Sequence, residues 1–456
     1  MKVEFLTAEI GSTTTVLSAF SCDASGSMRF VGQGESYTTV NENDVTIGID
    51  NALRNLKRSL GCDNLEWSVF LASSSAAGGL RMTVHGLVYD MTVKAAREAA
   101  LGAGGVIKLV TAGKLSGRDL KKIEAANPKL ILLAGGVDYG EKETVVHNAE
   151  ILRELDQNIP IIFAGNVAAA DDVLEIISTN GRDVHIVDNV YPRIDELNVE
   201  PTRQVIREVF SKNIVNGPGM EKVYSVIDKP IIPTPAAVML ATELFSQVND
   251  DVIVVDIGGA TTDVDSVTDG DPEIASILLA PEPRSKRTVE GDLGIYVNAS
   301  HVIEQIGRDE LGKEFPDLEN ILRNLTPYPK NDRDEAFSLR LAAYCFETSI
   351  RRHAGTIKQL YGPTGRTEVA YGKDLTAVKS VIGTGGILSR SKFSSKIMKI
   401  VRTLSAKHEK ELLPKSSVRL FRDRNYIFGA VGLISTVDLP SARDLVENSL
   451  EELNTT

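Results

Sequence analysis

Val252-Ile253-Val254-Val255-Asp256-Ile257-Gly258-Gly259-Ala260-Thr261-Thr262-Asp263-Val264-Asp265-Ser266-Val267 decides how this chain is read. Val252–Asp256 is an apolar run ending on an acid, which predicts a buried strand, and Val264–Val267 predicts its return. The turn between them has a recognisable chemistry. Glycines let the main chain approach an anion closely and aim N–H groups at it. Threonine hydroxyls donate to phosphate oxygens. An acid at a strand end holds Mg²⁺ through water, because that ion prefers oxygen ligands and keeps part of its hydration shell.

The same order recurs near the start of the chain. Glu9-Ile10-Gly11-Ser12-Thr13-Thr14-Thr15 repeats acid, Ile, Gly, any, small, Thr, Thr, between strand candidates Val3–Ile10 and Val16–Phe20. One copy alone reads as an ordinary Gly/Thr turn. Two copies in one register predict two phosphate hairpins that together clamp a triphosphate and its metal. A third element, Val381-Ile382-Gly383-Thr384-Gly385-Gly386, is an apolar strand running into a turn where no side chain keeps a flat ring off the backbone. Taken alone it is a tight strand–helix turn.

Together with Thr234-Pro235-Ala236-Ala237 and Phe428-Gly429-Ala430-Val431-Gly432, these segments resemble the actin, heat-shock-70 and sugar-kinase ATPase superfamily, in its order. The second hairpin matches that superfamily's Asp-x-Gly-Gly-x-Thr-x-Asp pattern. The resemblance implies an α/β, actin-like ATPase fold: two ribonuclease-H-like lobes around a nucleotide cleft, with an inserted α/β unit. It implies ATP and Mg²⁺ as cofactors. Glu9 and Asp256 would hold hydrated Mg²⁺. Gly11, Ser12, Thr13 and Thr14, with Gly258, Gly259, Ala260, Thr261 and Thr262, would bind phosphates. Gly383, Thr384, Gly385 and Gly386 would line the adenosine. Asp256 and Asp263 are the catalytic candidates, Asp263 as a second-line metal or water ligand. Two departures matter. Glu9 stands where the first hairpin usually has Asp, and Thr234 where some relatives carry an acid that orients the attacking water. A slow Mg-dependent ATPase is the expectation.

Over TAEIGSTTTVLSAF, LILLAGGVDYG, IPIIFAGNVAA, VDIGGATTDVDSV, RTVEGDLGIYVN and VIGTGGILSR the chain resembles a narrower family. These are the MutL-type accessory proteins of adenosylcobalamin-dependent glutamate mutase, unrelated to the mismatch-repair protein of that name. The resemblance implies a chaperone-like switch that reactivates or assembles an adenosylcobalamin-dependent mutase. The alternatives are a small-molecule kinase of the same fold and a nucleotide-dependent scaffold or filament.

The chain's 456 residues suggest about three domain-sized units. Residues 1–99 with 216–250 read as the first lobe, 100–215 as the inserted α/β unit and candidate partner surface, and 251–456 as the second lobe. In 100–215 short apolar runs alternate with helical stretches, as parallel sheets require. The tail after Pro440 reads as polar. Fifty Lys and Arg against 62 Asp and Glu give a net charge of −12, which excludes general attraction to nucleic acid. Basic groups such as Arg284, Lys286 and Arg287 read as solvated surface. No stretch reaches the ~20 apolar residues of a membrane span. The start MKVEFLTAEI has no secretory pattern, and Cys22, Cys62 and Cys345 form no CxxC, so a reducing cytoplasm is expected. The scattered histidines have no metal-ligand spacing. Asp292 reads as a helix cap, and Arg351, Arg352 and His353 as a helix-surface cluster. An oligomer is allowed but not specified.

Overall fold

The computed structural model describes residues 1–453 apart from 12–13, 40–43, 76–79, 156–157, 180, 215–222, 224–226, 328 and 363–364. It comprises two compact units. The first is Met1–Leu240 with Gly429–Leu445, and the second is Ala241–Phe428 with Val446–Thr456. The chain passes from one to the other inside three helices: Thr234–Val248, Phe428–Ser435 and Leu439–Ser449.

The first unit holds two sheets. One contains β1 (Lys2–Ile10), β2 (Thr14–Cys22), β3 (Met28–Tyr37), β4 (Glu66–Ser74) and, after the second sheet's strands, β10 (Ile232–Pro233), in the order β3-β2-β1-β4-β10. The hairpin strands are antiparallel, while β4 runs parallel to β1 and β10 to β4. Helix Val45–Leu60 covers it. Asp44 caps its start by accepting from the Thr46 N–H, and Gly61 ends it at φ 63°. Its buried Val45, Ile49, Ala52 and Leu56 recur at helical spacing and form one face. A Cβ on Gly34 of β3 would run into the Leu56 nitrogen and the Ala52 carbonyl, so glycine sets how closely the helix packs. Residues near the end of the chain complete this unit, since the Met28 N–H donates to the Asp444 carboxylate at 3.0 Å.

The other sheet is wholly parallel: β5 (Leu80–Gly86), β6 (Gly105–Ala112), β7 (Leu130–Leu133), β8 (Ile161–Phe163) and β9 (Val184–Ile186), in the order β6-β5-β7-β8-β9. The first strand lies between the second and third, the flavodoxin-like doubly wound arrangement. Its first strand in sequence, LRMTVHG, carries no element in the sequence reading. Arg81, Thr83 and His85 interrupt the apolar run that marks a buried parallel strand. The polar groups are satisfied inside: His85 bonds Thr111 Oγ1 at 2.8 Å and Thr83 Oγ1 at 2.9 Å. Burial pushes its imidazole down to about 3, so it is neutral.

The second unit repeats the first order. Its strands β11 (Val252–Ile257), β12 (Thr262–Val267), β13 (Ser285–Glu290), β16 (Ser380–Thr384), β17 (Arg419–Arg422) and β18 (Glu451–Glu452) lie as β13-β12-β11-β16-β17-β18. A separate hairpin pairs β14 (Thr356–Gly362) with β15 (Gly365–Tyr371). Helix Asp332–His353, capped by Asn331, buries Phe337, Leu341, Phe346 and Ile350 in one core with Ile253, Val255 and Val264. The fold class is thus α/β, with the ribonuclease-H-like strand order present twice and a parallel α/β sheet inserted in the first copy, between β4 and β10 in sequence.

Several local expectations are corrected. Arg284 is exposed as expected, but Lys286 and Arg287 are not solvated surface: Arg287 is 2% exposed and paired with Asp263, and Lys286 bonds Glu282 at 2.6 Å. Strand β13 carries them, and its alternation hid it as a charge run. The tail after Pro440 is helix Leu439–Ser449, with Ala442, Leu445 and Val446 buried. Two short helices, Ser394–Met398 and Val401–Lys407, follow the Gly383–Gly386 turn. Among the described residues, no helix is long and apolar enough to cross a membrane.

Candidate functional site

Both repeat segments fold as the same hairpin. Gly11 N–H donates to the Thr14 carbonyl at 2.9 Å, and Gly258 N–H to the Thr261 carbonyl at 2.9 Å. Strand register matches as well: Ile10 lies opposite Thr15 and Ile257 opposite Thr262. The neighbouring parallel strand brings Ser73 beside Glu9, and Thr384 beside Asp256. Ser12 and Thr13 lie outside the described residues.

The second turn is aimed. The carbonyls of Gly258, Gly259 and Ala260 are all taken by the segment that follows β13. The Gly258 carbonyl accepts from Ile295 N–H (3.2 Å), the Gly259 carbonyl from Tyr296 and Val297 N–H (2.9 and 2.7 Å), and the Ala260 carbonyl from Asn298 Nδ2 (2.7 Å). In a trans peptide the N–H points opposite to the C=O it shares a plane with. The N–H groups of Gly259, Ala260 and Thr261 are therefore turned away from that segment as a row. Such a row is an anion-binding nest. Gly294 makes the close approach possible, because a Cβ there would sit 2.5 Å from the Ala260 carbonyl. Sequence reasoning missed Gly294 and Asn298 as the parts that orient the turn. The signal was a Gly-x-x-Gly spacing, Gly291 to Gly294, ahead of a helix.

The Gly383–Gly386 turn meets the same strand end. Gly385 has φ 89°, and a Cβ on it would lie 2.6 Å from Asp256 Oδ1 and 2.5 Å from the Ile257 carbonyl. Only glycine fits both the dihedral and the space. Thr384 is buried and points its hydroxyl away from solvent, donating to Asp423 Oδ2 at 2.9 Å. Asp423 is itself fully buried and also accepts from Ile427 and Phe428 N–H at 3.0 Å, fixing the start of helix Phe428–Ser435. Burial raises its carboxyl pKa against those bonds. Within the second unit the structure therefore brings Asp256, the 258–262 turn and Gly385 together.

Asp263 is opposite Asp256 across the hairpin. It accepts from Arg287 at 2.5 Å and from Thr261 Oγ1 at 3.2 Å. One of its roles is thus to balance a buried guanidinium, a partner that the sequence reading did not supply. Further along, Arg352 binds Asp292 through both terminal nitrogens, at 2.7 and 3.0 Å, and Glu290 at 2.8 Å. The Arg352 bonds hold the Asp292 pKa below the usual carboxylate range, while burial raises that of Glu290. Asp292 is therefore an ion-pair partner and not a helix cap. Arg351 pairs with Glu411 and, like Arg352, keeps to the helix surface as expected, but His353 is buried between Thr288 and Ser266 and leaves that cluster.

In the first unit, Thr234 Oγ1 donates to Ser73 Oγ at 3.3 Å, and a Cβ on Gly429 would lie 3.7 Å from Glu9 Oε2. Both helix segments that the sequence singled out thus abut the first hairpin's end. Among the described residues, no three His, Cys, Asp or Glu side chains gather as a metal cage. The donor set suits a largely hydrated Mg²⁺ held by one strand-end carboxylate, which needs no cage.

A family model described as MutL protein matches residues 5–450. The chain belongs to the MutL protein family. Protein MutL of Clostridium tetanomorphum is 37% identical over 454 residues, spanning 96% of each chain. Among solved structures, a nucleotide-free diol dehydratase-reactivating factor gives a TM-score of 0.39 at 11% identity, over 96% of this chain and 99% of that one. A glycerol dehydratase reactivase gives 0.36 at 9% identity, over 95% and 99%. Likeness at that level carries no inference about what this MutL family member does.

Proposed function

We propose that this protein is an ATP-binding, chaperone-like switch that reactivates or assembles an adenosylcobalamin-dependent amino-acid mutase such as glutamate mutase, in the cytoplasm. The observation that carries the nucleotide reading is the row of N–H groups at Gly259, Ala260 and Thr261, left facing outward because the 291–298 segment occupies the carbonyls of Gly258, Gly259 and Ala260. Membership of the MutL family supports the partner.

In this reading, the backbone of Gly258–Thr261 binds phosphate oxygens, and the first hairpin, Gly11 to Thr14, does the same. The expected role of Thr262 is corrected: its hydroxyl is buried and donates to the Leu293 carbonyl at 2.7 Å. Asp256 and Glu9 hold hydrated Mg²⁺, and Gly383–Gly386 lie against adenosine. The metal supplies charge neutralisation at the phosphates. Asp263 stays tied to Arg287 and orients water at most indirectly, so turnover is slow. ATP drives work on a partner only through a difference in affinity between two arrangements of the protein. The inserted unit expected at residues 100–215, whose parallel sheet begins with β5 at Leu80, meets the partner.

The test is Mg-ATP binding and hydrolysis by purified protein beside Asp256→Ala, with and without the mutase. Binding abolished by the substitution, with slow turnover that the mutase accelerates, is the expected result. Unchanged ATP handling in a folded Asp256→Ala protein sinks the site. Transfer of phosphate to a small acid or sugar would replace the switch with a kinase.

A further inference from the structure

The parallel sheet of the first unit gathers exposed apolar side chains at one edge. Val88 and Tyr89 follow β5, Tyr139 follows β7, Val167 follows β8 and Ile194 follows β9, with exposures of 43, 54, 84, 50 and 70%. All lie at the carboxyl ends of parallel strands, where doubly wound sheets bind what they bind. The loops that carry them are built as one piece. Asp138 Oδ1 accepts from Val167 N–H at 3.0 Å and Asn189 Nδ2 at 2.9 Å, and Asp138 N–H reaches the Pro192 carbonyl. Buried Asn166 accepts the Tyr139 N–H at 2.9 Å. A Cβ on Gly135 would lie 3.7 Å from the Leu87 Cβ, which joins the β5 segment to the rest.

Tyr139 is the most exposed of them and has φ 61°, a conformation that bulky residues avoid. The fold holds a strained backbone to present a ring to solvent, which is how binding anchors are pre-organised. The loop segments themselves are acidic, while Arg97 of the following helix donates to the Tyr89 hydroxyl at 3.5 Å. Segments 87–93, 134–142, 164–169 and 187–199 contain Asp90, Asp138, Glu141, Asp188, Asp195 and Glu196. Their only bases, Lys142 and Arg193, are already paired with Asp172 and Glu196 at 3.1 and 3.3 Å. Exposed apolar groups rimmed by charge mark protein contact sites, and aromatics anchor them.

We infer that this edge, centred on Tyr139 and Ile194, is a protein-docking surface whose occupant presents an apolar spot ringed by Lys and Arg. Assigning that occupant as the mutase rests on the function proposed above. The experiment is equilibrium binding of the full-length protein to the purified adenosylcobalamin-dependent mutase of the same organism, at 50 and 300 mM NaCl. Tyr139→Gly removes the ring yet suits the positive φ, so the fold is kept, with a thermal midpoint no lower than wild type. It should weaken binding at least tenfold, as should Ile194→Ser. Asp90→Lys with Asp188→Lys should weaken it and flatten its salt dependence, since screening acts on exposed charges. Mg-ATP affinity should be unchanged throughout. Wild-type binding that none of these variants alters overturns the docking surface and leaves the accessory role standing. Wild type that binds no mutase overturns both. Self-association lost in Tyr139→Gly makes the occupant a second copy and overturns the assigned partner.

Discussion

The two hairpins share a frame and differ in what they carry. Each closes with the same Gly N–H to Thr carbonyl bond at 2.9 Å, in the same register. Across from the strand-end acid, however, the first places Val16 and the second Asp263. Beside the acid, the first has Ser73 bonded to Thr234, and the second has Thr384 bonded to buried Asp423. Duplication preserved the backbone, which the sheet requires. Charge was concentrated in the second copy, where Arg287 and the Asn298 segment hold it in place. A shared fold therefore does not mean shared work, and side-chain exchange between the copies should expose the difference.

The largest effect is expected from giving the second hairpin the first one's residue. Asp263→Val leaves Arg287, 2% exposed, without that carboxylate, and should cost about 3 kcal/mol in urea unfolding. Adding Arg287→Met should restore most of it. A loss under about 1 kcal/mol would mean the acid is not there to balance the guanidinium. Next, Asp256→Ala should weaken Mg-ATP binding by ~100-fold, near 2.7 kcal/mol, and Glu9→Ala by ~10-fold, measured by calorimetry. Equal losses would erase the asymmetry. Gly385→Ala combines a positive φ with a clash at Asp256 Oδ1, and should cost ~1–3 kcal/mol of stability and weaken nucleotide binding. Gly386→Ala meets nothing within 4 Å and serves as its control, within ~0.5 kcal/mol of wild type.

The smallest effect per step is a pH dependence common to both units. His85 and His353 are buried neutral, each between two hydroxyls, and burial holds both pKa values below the ordinary range. The unfolded chain takes up a proton near pH 6.5 and the folded one does not, so stability is full above ~6.5 and falls as pH drops. Each histidine contributes a slope of about 1.4 kcal/mol per pH unit below that point, down to about pH 3 for His85. Urea midpoints at pH 7.5 and 5 measure it. His85→Gln should flatten the slope, and an unchanged slope would show that carboxylates dominate.

The hairpins were legible because their signals are local: an apolar strand, an acid, glycines and threonines in a fixed order. The series of parallel strands from β6 onward was legible for the same reason, since buried runs such as Leu130–Leu133 carry no polar interruption. What escaped depends on distant partners. Strand β5 hid behind His85 and Thr83, which are polar in sequence and satisfied only once Thr111 arrives from β6. Arg287 read as surface because its carboxylate lies on another strand. Asp292 read as a cap because Arg352 comes from a helix 60 residues away in sequence. The outward row of N–H groups needed the 291–298 segment, which the sequence marks only by the Gly291 to Gly294 spacing.

Neither unit is continuous in sequence, and that orders events in time during synthesis. The first unit draws on residues 429–445, with Asp444 fastened to Met28 of its outermost β3 strand. The second closes its sheet with Glu451–Glu452, clamped to Arg419 and Arg422. A nascent chain halted at residue 428 has translated nearly all of both cores and finished neither. Residues 429–452 must leave the ribosome before either half can lock, so both halves mature together.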